Sequence, residues 1–184
     1  MLIEESTDAQ IDLPTGNVVL VIGPHAAQEA MIELAGGLVH LGRVRVLDGG
    51  NQFNAYWLAR SLRRRSPEMF PMLSRVNLAR AFTCYQMETM LAESRSLSVP
   101  TLVMDLLATF FDESVALPER RRLLQHAADH LRRLCQQAPL AVGARPPIPG
   151  SERGELYAIL REAADQVWEV GAPHPAQPAQ LALF

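Results

Sequence analysis

Cysteine is scarce in this chain. Two in 184 residues, Cys84 and Cys135, are too few for a disulfide framework and fit no four-ligand zinc spacing. A reducing cytoplasm is the compartment such usage suggests. Long apolar runs are also missing: none approaches the roughly 20 residues that span a bilayer. The N-terminal MLIEESTDAQ has none of the charged, apolar and cleavage regions of a signal peptide. No sign of charge dominates either, with 17 Lys plus Arg against 20 Asp plus Glu and a net charge of -3. That balance argues against a protein that coats DNA by bulk charge, while leaving room for a local basic face. Secreted, membrane and disulfide-rich classes are therefore not expected.

What is present is material for a core. Hydrophobic residues make up 48% of the chain and charged ones only 20%, which excludes global disorder. A single domain of this length buries roughly 70% of its unfolded surface without staples. Short apolar runs alternate with amphipathic stretches across residues 17–170. Asn17 to Ile22 reads as a strand buried on both faces, bounded by Gly16 and Gly23. Helical spacing follows from Ala26 to Leu41, interrupted by Gly36 and Gly37, which suggest close packing on the sheet.

Further strands are expected at Arg43 to Leu47, Arg75 to Thr83, Val99 to Leu106, Leu140 to Ala144 and Gln166 to Val170. Helices are expected at Phe53 to Arg65, Tyr85 to Ser94, a long segment opened by Pro118-Glu119, and Glu152 to Ala163. This alternation predicts an α/β fold with a mainly parallel sheet covered by helices on both faces. Residues 1–16 precede the domain, residues 17–170 form it, and residues 171–184 are a proline-containing tether ending in an apolar group.

After the first strand, Gly23-Pro24-His25-Ala26-Ala27-Gln28-Glu29-Ala30 occupies the place of a nucleotide-binding phosphate loop, GxxxxGK[ST]. Only the first glycine is there. Gln28 stands at the second glycine, Glu29 at the lysine and Ala30 at the hydroxyl residue. A carboxylate repels phosphate where lysine would neutralise it, and alanine cannot hold magnesium. The expectation is a strand-helix turn without a ligand, and no cofactor or metal.

From this loop onward the chain resembles the RecA/RadA recombinase superfamily, over roughly Gly16 to Val170. Arg45 to Phe53 is similar to the family's second-strand segment, with Asn51 the nearest polar residue to the missing catalytic glutamate. Arg80-Ala81-Phe82-Thr83, with Gln86 and Leu91, resembles the third strand and the helix after it. Thr101-Leu102-Val103-Met104-Asp105 resembles Walker B, although Asp105 is expected to cap or hydrogen-bond a neighbouring loop rather than bind magnesium. Arg145 stands where the family has a polar sensor. The resemblance implies a three-layer, RecA-like (P-loop NTPase-like) domain that kept the scaffold and lost its catalytic groups. It is closest in kind to ImuA-like accessory proteins.

Gln180-Leu181-Ala182-Leu183-Phe184 resembles the bacterial sliding-clamp binding motif QL[SD]LF at four of five positions. By that resemblance Gln180 meets a polar site while Leu181, Leu183 and Phe184 fill a hydrophobic groove. A terminal latch folded back on the domain is the competing account. The partner implied is the clamp (the β subunit of the bacterial DNA polymerase). A DNA polymerase or another RecA-like subunit is a further candidate, and the location implied is the cytoplasm at the nucleoid.

Two arginine clusters, Arg60, Arg63, Arg64 and Arg65 on one helix and Arg120, Arg121, Arg122, Arg132 and Arg133 on another, suit phosphate contact, with Arg63, Arg64, Arg65, Arg121 and Arg122 the candidates for DNA. They suit a solvated helix face equally well. Neither cluster is interleaved with aromatics. His126 and His130 share a helix face, yet lack an acid at metal-site spacing. Tyr56 and Trp57 are expected to divide, one ring on the sheet and one at its edge. The function expected is a non-catalytic accessory or adaptor in DNA replication, repair or translesion synthesis. A divergent nucleotide-binding ATPase is the alternative.

Overall fold

Six strands form one sheet in the order β3-β2-β4-β5-β1-β6, and every neighbouring pair runs parallel. The computed structural model describes residues 13–171 apart from Glu68, Ser96 and Leu97. In chain order the elements are β1 (Val18–Ile22), α1 (Gln28–Leu41), β2 (Val44–Asp48), α2 (Ala55–Arg65), α3 (Met69–Leu73) and β3 (Val76–Arg80). There follow α4 (Cys84–Glu93), β4 (Thr101–Met104), α5 (Leu117–Cys135), β5 (Leu140–Ala144), α6 (Glu152–Ala163) and β6 (Gln166–Glu169). Tight 3-10 turns at Pro24–Ala27 and Leu106–Phe110 follow β1 and β4.

The two-residue period of a strand sorts its side chains into two cores. From β1, Val18, Leu20 and Ile22 join α4, α5 and α6 through Met87, Leu91, Leu124, Leu131 and Leu160. Val19 and Val21 point the other way, into a layer built from α1, α2 and α3 with Met31, Leu34, Leu58, Leu62 and Met72. Strands β1, β4 and β5 are buried along their whole length, whereas β3 and β6 are half-exposed edges. This is an α/β fold with a parallel sheet, as the strand-helix alternation predicts, and its three layers agree with the RecA-like architecture that the resemblance implies. No helix among the described residues is long and apolar enough to cross a membrane.

Helix starts follow local chemistry. The Asn54 carboxamide oxygen accepts from the Tyr56 and Trp57 amides, at 2.9 and 3.4 Å, and opens α2. Thr83 and Ser151 cap α4 and α6 in the same way. Helix α3, too short for its periodicity to be read, joins the expected elements, and two expectations need correcting. Strand β4 stops at Met104, because Asp105 turns into the left-handed region at φ 47°. Gly36 marks close packing of α1 on α2 rather than on the sheet: a Cβ there would lie 2.7 Å from Ser61 Oγ. Ahead of β1, Leu13 is buried and the Gly16 amide donates to Cys135 O at 2.7 Å.

Gly143 on β5 lets the turn after β1 rest on the sheet. A Cβ at this position would come within 2.6 Å of the Ala26 carbonyl oxygen and 3.1 Å of Met31 Cγ. Backbone cannot rotate away as a side chain can, so Gly143→Ala is expected to lower stability by about 1–3 kcal/mol. A shift of the urea midpoint at unchanged slope would establish this, and an unshifted midpoint would refute it.

Candidate functional site

The carboxyl ends of β1, β2, β4 and β5 gather the residues that the sequence singles out. In an open parallel sheet this edge is where successive helices part to opposite faces and leave a crevice. Helix α1 and helix α2 follow β1 and β2 onto one face, and the helices after β4 and β5 cover the other.

After β1, Gly23 is extended, and a Cβ there would strike the Val170 side chain. The next three residues after Pro24 are all left-handed, His25 at φ 50°, Ala26 at 57° and Ala27 at 56°. Each such non-glycine residue costs about 1–2 kcal/mol. Burial of the Ala26 and Ala27 methyls and an Ala27 N–H to Gly23 O bond of 3.3 Å offset that cost. Gln28 occupies the first position of α1, where its Nε2 donates to Gln52 O at 2.5 Å and ties the loop to the turn after β2. Glu29 is exposed in the first turn of α1 and Ala30 is half-buried. A carboxylate at that point favours the helix dipole and opposes a bound phosphate.

Two buried carboxylates end adjacent strands. Asp48 closes β2, and its oxygens accept from the Gln52 and Phe53 amides at 2.9 and 3.0 Å, folding Gly49 to Phe53 into a tight turn. Arg80 Nε, from the paired end of β3, reaches Asp48 Oδ2 at 3.4 Å. Asp105 follows β4 and is fully buried. Its Oδ2 accepts from Arg145 Nε and Nη2 at 3.2 and 3.1 Å, while Oδ1 has no hydrogen-bond partner. Gly50 is required beside it, because a Cβ would collide with the Asp105 carboxylate. Burial pushes the Asp105 carboxyl above its ordinary value, Arg145 draws it part of the way back, and nearby Asp48 adds to the rise.

The Asp105 side chain makes no helix-capping bond; it hydrogen-bonds a neighbouring loop through the guanidinium of Arg145, the first residue after β5. A fixed organic cation stands on the carboxylate that the Walker B resemblance would assign to magnesium. Asp48 was not among the sequence candidates, although both strands share one signal, an apolar run ending in Asp (VRVLD and TLVMD).

Between α1 and α2 the surface opens into a cavity of about 440 Å³, bounded by Pro24, Ala30, Ile32, Trp57, Val170 and Gly171. Glu33 on its rim gathers the last turn of α2: it accepts from Ser61 Oγ at 2.9 Å, from Arg65 at 2.8 Å and from Arg64. Two of the four arginines in that cluster are therefore held by a carboxylate, and Arg63 is exposed with no ion pair among the described residues. In the second cluster Arg121 pairs with Glu155 at 2.5 Å and Arg122 with Glu119 at 2.7 Å.

Tyr56 and Trp57 are both exposed, so neither ring packs on the sheet. They meet edge-on at 6.2 Å, and Arg60 lies 5.5 Å over Trp57. This interleaves an aromatic pair with the α2 arginines, contrary to the sequence expectation. His126 and His130 both face Glu88, at 4.0 and 3.4 Å, and no cluster of three metal-binding groups occurs among the described residues. Cys84 is buried, which raises its thiol pKa. Gln180, Leu181, Leu183 and Phe184 lie outside the described residues. No protein-family model matches the chain, and no curated protein is significantly similar to it.

The Asp105–Arg145 pair makes a signed pH prediction. A carboxyl whose folded pKa is raised subtracts stability above that value and subtracts none below its unfolded value near 3.8. Arg145→Ala removes the group that holds the rise in check. The variant is expected to lose about 2–3 kcal/mol at about pH 7 and progressively less toward about pH 4. Adding Asp105→Asn should restore part of the loss at neutral pH. Urea unfolding across this range measures it, and a deficit that grows on acidification would contradict the assignment.

Proposed function

We propose that this protein is a non-catalytic, RecA-like accessory protein of DNA replication, repair or translesion synthesis, brought to DNA by the bacterial sliding clamp through residues 180–184. The observation that carries the non-catalytic half is the pairing of Asp105 with Arg145, beside a loop that has Glu29 where phosphate chemistry needs a cation. A guanidinium on the acid and a carboxylate at the lysine position invert the charges that hold a magnesium nucleotide. The clamp half rests on the Gln180-Leu181-Ala182-Leu183-Phe184 resemblance. Its physical logic is a neutral segment with three apolar side chains offered to one groove.

A DNA polymerase or a second RecA-like subunit would be met by the half-exposed edge strand β3 or by the outer faces of α2 and α5. Direct DNA contact, if made, falls first to Arg63, because Arg64, Arg65, Arg121 and Arg122 each hold a carboxylate. One observation favours the alternative, a divergent nucleotide-binding ATPase: Asp105 Oδ1 is buried with no partner.

The test is binding of the full chain to purified sliding clamp by calorimetry. Leu183→Ala with Phe184→Ala removes two side chains worth about 1.5–3 kcal/mol each, so affinity should fall at least about 100-fold. Absence of binding by the unaltered chain at tens of micromolar would refute the adaptor reading. The catalytic alternative is tested in parallel by thermal unfolding with magnesium and ATP. A flat melting temperature at millimolar nucleotide is expected; a rise that Asp105→Ala abolishes would overturn the non-catalytic reading.

A further inference from the structure

The cavity between α1 and α2 lies where the described chain leaves the domain. Its apolar lining comes from Val170 and Gly171, from Ala30 and Ile32 of α1, and from Trp57 of α2. The charges around it are of both signs and largely engaged with one another. Glu33 is taken by Ser61, Arg64 and Arg65, and Arg60 lies over the Trp57 ring. An opening with Glu29 and Glu33 on one helix and Arg60 and Arg64 on the other offers no net field to a charged ligand. Its unmet need is the covering of apolar surface, above all the half-exposed indole of Trp57.

We propose that this groove is the docking surface for the chain's own residues 181–184, which seat Leu181, Leu183 and Phe184 against Ile32, Ala30 and Trp57. The segment after Gly171 carries no Asp, Glu, Lys or Arg, so no such side chain is desolvated when Leu181, Leu183 and Phe184 enter. Nine residues, three of them proline, separate Gly171 from Leu181, and at about 3.1 Å per residue a connection of that length reaches up to about 30 Å. Packed helix axes lie about 8–10 Å apart, so the connection can cross the groove without being stretched. Tethering also supplies concentration. At about 1 mM effective concentration, a segment that binds in trans with a Kd of about 0.1 mM occupies the groove roughly 90% of the time. The same side chains cannot sit in the groove and in another protein at once, so docking elsewhere first requires release. This inference stands on the groove alone and does not depend on the clamp reading.

The test needs no second protein. The chain has two tryptophans, so Trp168→Phe leaves Trp57 as the only indole reporter. In that background, acrylamide quenching of Trp57 should be low for the otherwise unaltered full chain and should rise with Leu183→Ala plus Phe184→Ala. A synthetic peptide of residues 172–184, added to that double variant, should reverse the rise with a Kd of about 0.1 mM. Ala30→Arg in the groove should raise quenching without altering the tail, with thermal unfolding used to verify that the variant is folded. Equal quenching with and without the two tail substitutions would overturn the proposal. Shielding that vanishes on dilution would overturn it too, by assigning the tail to the groove of a second copy.

Discussion

A sheet buried on both faces leaves a protein few places to keep polar chemistry, and the rest of this structure follows from that constraint. Strands β1, β4 and β5 present no exposed residue. Their backbone groups are satisfied by parallel neighbours, and their side chains are divided between two apolar layers. Carboxylates and left-handed turns gather at the carboxyl edge, where Asp48 and Asp105 end neighbouring strands and the loop after β1 lies one strand further on, beyond β5. Glycine is needed where these pieces close on one another, at Gly50 against the Asp105 carboxylate and at Gly143 against the Ala26 carbonyl.

Within that edge the two aspartates are used differently, although each ends an apolar strand. Asp48 is consumed by its own turn: two backbone amides and Arg80 meet its oxygens. Asp105 meets a single guanidinium and keeps one buried oxygen without a partner. A carboxylate in that state is expensive, and Arg145 is the group that makes its burial tolerable. Because Arg145 itself is half exposed, the pair is screened on one side and held dry on the other.

The layer formed by α1 and α2 shows the same economy of charge. Glu33 draws Ser61, Arg64 and Arg65 onto one carboxylate, next to the helix contact that Gly36 permits. Elsewhere arginine serves the scaffold. Arg120 is buried and reaches the Phe110 and Val115 carbonyls and Glu152, while Arg133 donates to the Leu91 and Ala92 carbonyls at the end of α4. A cluster of arginines in sequence is therefore a poor guide to a basic surface in this protein.

Local pattern determined the elements. Strand periodicity and the alternation of strand with helix depend on near neighbours and are legible without the fold, whereas the expected helix over 53–65 and strand over 75–83 enclose Asn54 and Thr83, which the structure makes caps. The loss of lysine and hydroxyl after β1 is legible for the same reason, since a phosphate loop is contiguous. The pairing of charges was decided by tertiary structure alone. Arg145 lies 40 residues from Asp105 and Glu33 lies 31 from Arg64, and only the strand order and the helix packing bring them together. Exposure of both Tyr56 and Trp57 was decided there too, because one turn of helix does not reveal which side its neighbours will cover. Sequence sets what a segment can form; which charge meets which is a property of the packed molecule, because it depends on contacts between residues far apart in the chain.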